Sequence, residues 1–550
     1  MNIIFKKESY IYFLIIFVLL IGIFTFRDFG IGIEEHFQRK SGLYWLNYLL
    51  NFFDLSHYKL ITQEKLNKIE TFTPNLFSIE QVPFYGVLFD LPLAFIEVAL
   101  NINEPHIYFQ IRHFIIFLIF IISAYFFYKL ILMRYENTYL AIFGFIAFII
   151  TPRIYGNIFF DNKDVFFLSI FTINFYFLFK FYLFKSYTNL ALLSLFCALS
   201  TSSRIIGIFI PITFVFIVLL SLFNKDEFKK NVQHLFIFIF LYFFFLLIHW
   251  PYLWTLEASQ VFNFFEPFFY AMNPIVFFNG EFYQSKYLPL SYLPVWMLIS
   301  SPIYLIILSS VGFIYQSKRL FNRLININEK KEIFKYDLWK TDKEKFDLFT
   351  YINLILVIIL YISINLALLS GWRHFYFLNF FIVYYSCFTI YFSFKFIKID
   401  TFKKMFSYIL ALFIIINLYD LVRYHPYQSV FFNKLVSNER RLKFEIDTQS
   451  LSRAEFLNEI SKIKKNKIKI GTASWTPLED ARFLLPERKW KKFQFVGTNL
   501  KEADFIYTNY YYEININLND KYEIPENFSL YKNLIIDGTR VYSIYKKNNL

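Results

Sequence analysis

The sequence predicts an α-helical polytopic membrane protein of about 11 transmembrane helices, followed by a small C-terminal α/β domain outside the bilayer. Three observations carry that prediction. Hydrophobic residues make up 57% of the 550, with 78 Phe among them, more apolar surface than a water-soluble core of this size uses. Apolar runs close to the 20 or so residues that cross a bilayer as a helix recur between Tyr10 and Leu421. Beyond Leu421 the composition returns to that of a soluble domain.

The first run, Tyr10 to Phe26, follows the basic pair Lys6 and Lys7, and no small-residue cleavage pattern comes after it. It reads as an uncleaved first helix. Further spans are predicted at 113–131, 138–152, 164–181, 188–203, 205–223, 235–250, 292–315, 349–369, 375–394 and 405–421. The alternate loops 129–137, 180–187, 224–234, 316–348 and 395–404 all contain Lys or Arg, the fourth densely (Lys318, Arg319, Arg323, Lys330, Lys331). Positive charge marks the cytoplasmic side, so these loops and the N-terminus are assigned there. An odd number of spans then puts the first loop, 27–112, and the terminal segment, 422–550, together on the external side. Residues 84–101 are apolar but interrupted by Asp90, Pro92 and Glu97. They are placed along the membrane surface, because counting them as a span would reverse the charge bias of every later loop.

Two cysteines, Cys197 and Cys387, both lie in apolar runs, which offers neither a disulfide framework nor a cysteine metal site. The formal charge of +14 falls largely in the short loops between spans, and as a topology signal it supersedes a nucleic-acid reading. The abundance of Phe, Ile, Lys and Asn resembles an AT-rich coding bias, so aromatic richness alone is given no functional meaning.

Ionisable groups at a membrane boundary are costly enough to suggest function. Five clusters fall on the external side. Gly32-Ile33-Glu34-Glu35-His36-Phe37-Gln38-Arg39 follows the first span. Its adjacent carboxylates cannot face the same way on a helix, so one can reach a substrate while the other meets a cation or helix end; a solvated loop is the alternative. Pro152 to Asp164 packs Arg153, Asp161, Lys163 and Asp164 into a short loop, where a structural ion-pair cluster is the alternative. Arg204 stands alone between two apolar helices, and snorkelling to the surface would also explain it. His249 to Trp254, with Glu266, Glu281, Lys286, Tyr292 and Trp296, forms a fourth group. An aromatic belt accounts for its Trp and Tyr residues better than for its acids. Gly371-Trp372-Arg373-His374 lies at the tip between two spans. A guanidinium there suits a phosphate, since its planar fork donates paired hydrogen bonds; anchoring to lipid headgroups is the alternative.

The sequence contains no GxxxxGK[ST], no strand-associated GxGxxG, no HExxH and no paired CxxC, which argues against a nucleotide-driven pump and a zinc protease. The clusters offer carboxylates for proton abstraction and cations for an anion.

With Glu34-Glu35 in the first external loop and Asp161 to Asp164 in the next, the membrane part resembles the GT-C class of membrane glycosyltransferases. That class includes protein O-mannosyltransferases, the lipid A aminoarabinose transferase and other family 39 enzymes. PRIYGNIFFDNKD, WPYLW at 250–254, GWRHFYFL at 371–378 and HPYQSVFFN at 425–433 make a bacterial branch look closest. The sequence departs from the pattern at Glu34, where the usual residue is Asp; the longer side chain requires the backbone to sit slightly further from the acceptor. The resemblance implies a bacterial inner membrane location, with a cytoplasmic N-terminus and a periplasmic C-terminal domain. It implies a polyprenyl-phosphate sugar donor, a hydroxyl-bearing protein, lipid or glycan acceptor, no nucleic acid, and an inverting displacement. In that scheme Glu34 is the base and Glu35 orients it or binds a metal. Asp164, with Asp161 nearby, contacts the acceptor or a metal, and Arg204, Arg373, His374 and Lys163 hold the donor phosphate. A divalent cation, Mg or Mn, stays open in the class; Glu35 and Asp164 would be its ligands.

The terminal segment reads as a helix at 453–464 and strands at 467–473, 493–497 and 504–509, with a final pair across 533–546. Gripping the acceptor and covering the site are both open to it, and none of its residues suggests catalysis. A secondary transporter is the rival reading, but transporters place their acids at the bilayer midplane, often in repeated halves. Here the acids gather at one surface and the two halves show no repeat.

Overall fold

The computed structural model describes residues 2–72, 87–221, 228–257, 273–325, 339–515 and 520–548. Glu266, Lys330 and Lys331 from the sequence analysis lie outside the described residues. Apolar stretches bounded by capping residues become helices, in the order expected. α1 (Asn2–Thr25) leads to three helices of the first loop, α2 (Glu35–Phe52), α3 (Ser56–Phe72) and α4 (Asp90–Ala99). Next come α5 (Pro105–Tyr135), α6 (Thr138–Ile150), the short α7 (Pro152–Asn157), α8 (Asp164–Phe184) and α9 (Tyr187–Ser203). The membrane part continues with α10 (Phe209–Ser221), α11 (Phe228–His249), α12 (Tyr292–Ser300), α13 (Ile303–Ile325), α14 (Asp342–Ser363), α15 (Leu378–Phe396) and α16 (Asp400–Arg423).

Every predicted span thus overlaps helix among the described residues; the last two residues of the span predicted at 205–223 lie outside them. Among the described residues five helices are long and apolar enough to cross a membrane, α5, α8, α11, α14 and α16, with shorter apolar helices at Tyr10–Thr25, Thr138–Ile150 and Ile205–Leu220. Local chemistry sets their ends. Asn137, Ser186 and Thr341 accept from the backbone N–H groups of Leu140, Asn189 and Glu344 at the starts of α6, α9 and α14, satisfying donors the helix itself cannot. α8 is almost wholly buried at the centre of the bundle. Phe13, Phe24, Tyr408, Ile415 and Val422 point outward from α1 and α16, as side chains facing lipid do.

Two spans differ from expectation. The stretch predicted at 292–315 is two helices, broken at Ser301-Pro302, because proline cannot donate to the helix ladder and its ring crowds the preceding turn. Asn433 caps the break: its Nδ2 donates to the carbonyls of Leu298 (2.5 Å) and Ser301 (2.8 Å), and its backbone N–H to Ile299 O (2.8 Å). The stretch predicted at 349–369 leaves helix after Ser363, and positive φ at Ser370 and Gly371 turns the chain inward. The ten residues of α4 are too few to cross a bilayer. They pack on α2 and α3, in keeping with the expectation for 84–101, of which 84–86 lie outside the described residues.

A buried network ties four helices together at the end predicted to be cytoplasmic. Asp347 accepts from Arg134 (2.8 and 2.6 Å), Arg319 (2.7 Å) and Tyr384 Oη (2.6 Å). Removing one partner of a buried ion pair leaves the other uncompensated, at a cost of about 3–5 kcal/mol. Asp347→Asn is therefore expected to lower the unfolding midpoint of the detergent-solubilised protein substantially, whereas Lys403→Ala, in an exposed pair with Asp400, leaves it unchanged.

Outside the bundle, the hairpin β1 (Ile275–Phe278) and β2 (Glu281–Gln284) turns at Asn279-Gly280, both with positive φ. The C-terminal domain has α17 (Ser452–Ser461), β3 (Ile468–Thr472), β4 (Phe493–Gly497), β5 (Phe505–Thr508), β6 (Phe528–Ile536) and β7 (Thr539–Lys547). The sheet order is β4-β3-β5-β7-β6, with β3 parallel to both neighbours and β7 antiparallel to both of its own. Every predicted element of this domain is present, and Asp537-Gly538 turns the final hairpin with positive φ.

Candidate active site

Four chain segments converge at the end of the bundle opposite Asp347. The first is the Gly30–Glu35 segment after α1. Gly30 lies so close to Leu451 that a Cβ would sit 2.4 Å from its carbonyl oxygen, so only glycine fits. Arg453 of α17 donates to Ile31 O at 2.7 Å and to Ser450 O at 2.8 Å, and the C-terminal domain thereby pins this segment in place. The two carboxylates then diverge, as their adjacency requires. Glu35 is buried and accepts from Gly32 N (2.7 Å) and pairs with His113 Nε2 (3.2 Å). Glu34 turns the other way and forms an ion pair with Arg373.

Arg373 is aimed by the broken helix. Gly371 N donates to Tyr292 Oη (3.1 Å) and Trp372 Nε1 to Ser300 Oγ (2.8 Å), so α12 holds both residues that precede the guanidinium. Its Nε lies 3.9 Å from Asp164 Oδ2, and the other oxygen of Asp164 is paired with Arg204. Asp161 anchors the start of α8: its Oδ1 accepts from the N–H groups of Asp164 (2.8 Å) and Lys163 (3.2 Å). Its Oδ2 is buried with no hydrogen-bond partner among the described residues. The result is a chain of alternating charge, Glu34, Arg373, Asp164, Arg204, with Asp161 and Lys163 at its side.

Electrostatics separates the carboxylates. Burial pushes Glu34 up, but Arg373, Lys163 and Arg204 outweigh it and hold the carboxyl at about 2. For Asp161 burial dominates and the Glu34 charge adds to it, so despite Arg373 and Arg204 it is pushed up to about 6. His374 is held well below its ordinary value by burial and by Arg204, Arg373 and Lys163. It is neutral at pH 7 and can offer a hydrogen bond, not a charge.

No family model matches the chain, and no curated protein matches it. Among solved structures it is similar to the crystal structure of ArnT from Cupriavidus metallidurans bound to undecaprenyl phosphate. The TM-score is 0.38 and the identity 11%, over 80% of this chain and 84% of that one.

Of the residues singled out from sequence, Glu34, Asp161, Lys163, Asp164, Arg204, Arg373 and His374 come together here, while Glu35 is turned away toward His113. The two carboxylates named for a cation do not fit one: Glu35 is taken by a backbone amide and a histidine, and Asp164 by two guanidinium groups. Among the described residues no three His, Cys, Asp or Glu converge as a ligand set. The fourth cluster does not gather at the site as a unit. His249 pairs with Ser202 (2.6 Å) and Tyr292 and Trp296 support the Arg373 turn, but Glu281 is exposed on the hairpin. Sequence reasoning missed the contribution of the C-terminal domain. Tyr511 is buried within electrostatic reach of Glu34 and Arg373, and Glu445, near Arg373, is pushed up to about 8 by burial. Neither stands in a motif that would have marked it.

Proposed function

We propose that this chain is an inverting membrane glycosyltransferase. It would move a sugar from a polyprenyl-phosphate donor to a hydroxyl of a protein, lipid or glycan on the external face of a bacterial inner membrane. The observation that carries the reading is the placement of Arg373 and Arg204, each with a carboxylate counter-ion, at one end of a bundle of apolar helices. An anion with a lipid tail can reach such a centre sideways from the bilayer, and guanidinium groups suit its phosphate.

In the resting protein Glu34 is a poor base, because its proton affinity is held down by Arg373. A donor phosphate that engages Arg373 and Arg204 draws those charges away from Glu34 and adds negative charge beside it. Burial then raises its proton affinity, so the base is armed only when donor is bound. The acceptor hydroxyl gives its proton to Glu34 as its oxygen bonds to the anomeric carbon. The bond from that carbon to the phosphate oxygen breaks, and its electron pair leaves on the phosphate, where the arginines and Lys163 stabilise it. Attack opposite the leaving group inverts the centre. The open Oδ2 of Asp161 accepts a hydrogen bond from the acceptor.

The test is to supply membranes containing the protein with a radiolabelled polyprenyl-phosphate sugar and follow the label into acceptors. Transfer supports the reading; accumulation of a polar solute in vesicles with no transfer would make the chain a transporter instead. A pH dependence follows from Asp161. Its folded value of about 6 lies above that of an ordinary carboxylate, so it is ionised and able to accept only as pH rises past that point. In kcat/KM, which reports the donor-free protein, activity is expected to fall as pH drops below about 6, and this acidic limb is expected to vanish in Asp161→Asn.

A further inference from the structure

Contacts between the C-terminal domain and the membrane part gather where α16 ends. His425 Nε2 pairs with Asp28 Oδ2 at 2.9 Å, which sets the end of α16 beside the end of α1. The turn between β6 and β7 is tied to the same place: Asp537 accepts from Tyr424 Oη (3.2 Å) and pairs with Arg423 (2.7 Å), Lys434 (2.8 Å) and Arg441 (3.3 Å). Further back along β6, Lys532 Nζ donates to Glu455 Oε1 (3.3 Å), while Glu455 Oε2 accepts from Tyr427 Oη (2.5 Å). Strand β6 is therefore held at two points to the chain that leaves α16, the helix on whose last turns Tyr419 and Val422 point outward as lipid-facing side chains do.

The apolar side chains that the terminal segment leaves exposed lie on the same parts of the chain. Among the described residues after Tyr424, the exposed large hydrophobic ones are Leu435, Leu442, Leu530, Tyr531 and Ile535. Leu435 follows Lys434 and Leu442 follows Arg441, both partners of Asp537, and the other three stand on β6 before that turn. Single exposed apolar residues need no explanation, but a grouped set does. An apolar edge strand left in water is a template for aggregation. Strand β6 is one edge of the sheet, and the opposite edge, β4, carries no exposed large hydrophobic residue. Basic residues frame the apolar ones: Arg423, Lys434, Arg440 and Lys443 are exposed, and exposed Arg540 stands opposite Ile535 in the ladder. Within 434–443 the one exposed acid is Glu439, and the nearby Asp537 and Glu455 are engaged by the contacts above.

We propose that β6 and the stretch 434–443 form a membrane-docking face, which seats the C-terminal domain on anionic phospholipid headgroups of the leaflet in which α1 and α16 end. The proposal is independent of the glycosyltransferase reading. Leu435, Leu442 and Ile535 enter the headgroup boundary, continuing the outward-facing surface of α16, and the basic residues beside them attract the lipid phosphates. A second copy of this chain suits the face less well, because pairing it with itself would bring like charges together.

Bimane attached at single introduced cysteines in the full-length protein, held in nanodiscs, tests this; the native Cys197 and Cys387 are buried. Two quenchers are compared, a nitroxide carried on the lipid and acrylamide in the water. At Leu435→Cys, Leu442→Cys and Ile535→Cys the lipid nitroxide is expected to quench and acrylamide to have little effect. The reverse is expected at Gln494→Cys on β4, about 20 Å from β6 across the sheet. Val422→Cys, on the outward face of α16, should be quenched from the lipid in every preparation, which reports an intact, inserted fold. Lipid quenching at Leu442→Cys is expected to be about twofold stronger in phosphatidylglycerol than in phosphatidylcholine, and Arg440→Gln with Lys443→Gln to erase that difference. Acrylamide reaching the three positions as freely as Gln494→Cys would overturn the proposal. Protection from both quenchers would overturn it too, since protein would then cover the face. Equal quenching in the two lipids would overturn the preference for anionic headgroups.

Discussion

Replacing Glu34 with Gln is expected to lower sugar transfer by about 10²–10⁴-fold, the usual contribution of a positioned general base, without weakening donor binding. Gln keeps the length and shape of the side chain, and its amide oxygen can still accept from Arg373, so the turn that carries the guanidinium stays in place. What the variant lacks is a site for the acceptor's proton. The loss should appear in kcat, since no contact to the donor is removed. Glu35→Gln should behave differently. Glu35 accepts from Gly32 N and pairs with His113 in a buried setting, so its loss should lower stability more than it alters the chemical step. A wild-type transfer rate in Glu34→Gln would remove Glu34 from the mechanism and leave Asp161 as the remaining acid with an open oxygen.

The second large effect is expected at Arg373. Arg373→Gln removes the counter-ion of Glu34 and a neighbour of Asp164, and with them the phosphate contact proposed for the donor. Charge-assisted hydrogen bonds contribute about 1.5–3 kcal/mol, so donor affinity should fall by one to two orders of magnitude. The fold should suffer too, because breaking a buried pair leaves a charge behind. Glu34 keeps 15% of its side chain exposed, which puts the cost at the lower end of the roughly 3–5 kcal/mol typical of buried pairs. The double variant Glu34→Gln with Arg373→Gln separates the two effects. It should recover much of the lost thermal stability, since no carboxylate is stranded, and recover no transfer. Recovery of transfer along with stability would mean that the pair is a structural brace and nothing more.

Much of the architecture is legible in the sequence because spans and strands are local patterns. A run of apolar residues closed by a capping Asn, Ser or Thr needs no tertiary information to be read as a helix, and the C-terminal strands carry their own alternation. The break at Pro302 was also in principle visible, but its purpose was not: α12 ends there to hold Trp372, through a serine 72 residues away in sequence. The charged loops could be recognised as unusual, and seven of the residues they supplied do meet. Their pairing could not be read. Nothing local says that Glu34 faces Arg373 while Glu35 faces His113, since that choice is made by Arg453 and Leu451 pressing on the segment from a domain more than 400 residues later. The same is true of Tyr511 and Glu445, which no spacing rule connects to the first loop.

The proposed coupling between donor and base would give the site an order of events. Arg373 holds the proton affinity of Glu34 down; in the proposed mechanism this keeps the base idle until donor binding redirects the guanidinium and arms it. Glu34→Gln should therefore stall the protein with its donor in place. Extraction of lipids from purified Glu34→Gln protein, followed by mass spectrometry, tests this most directly. A glycosylated polyprenyl phosphate co-purifying with the variant, and lost when Arg373 is also replaced, is the predicted result. Bulk membrane phospholipid alone, with no polyprenyl phosphate species in either preparation, would contradict it.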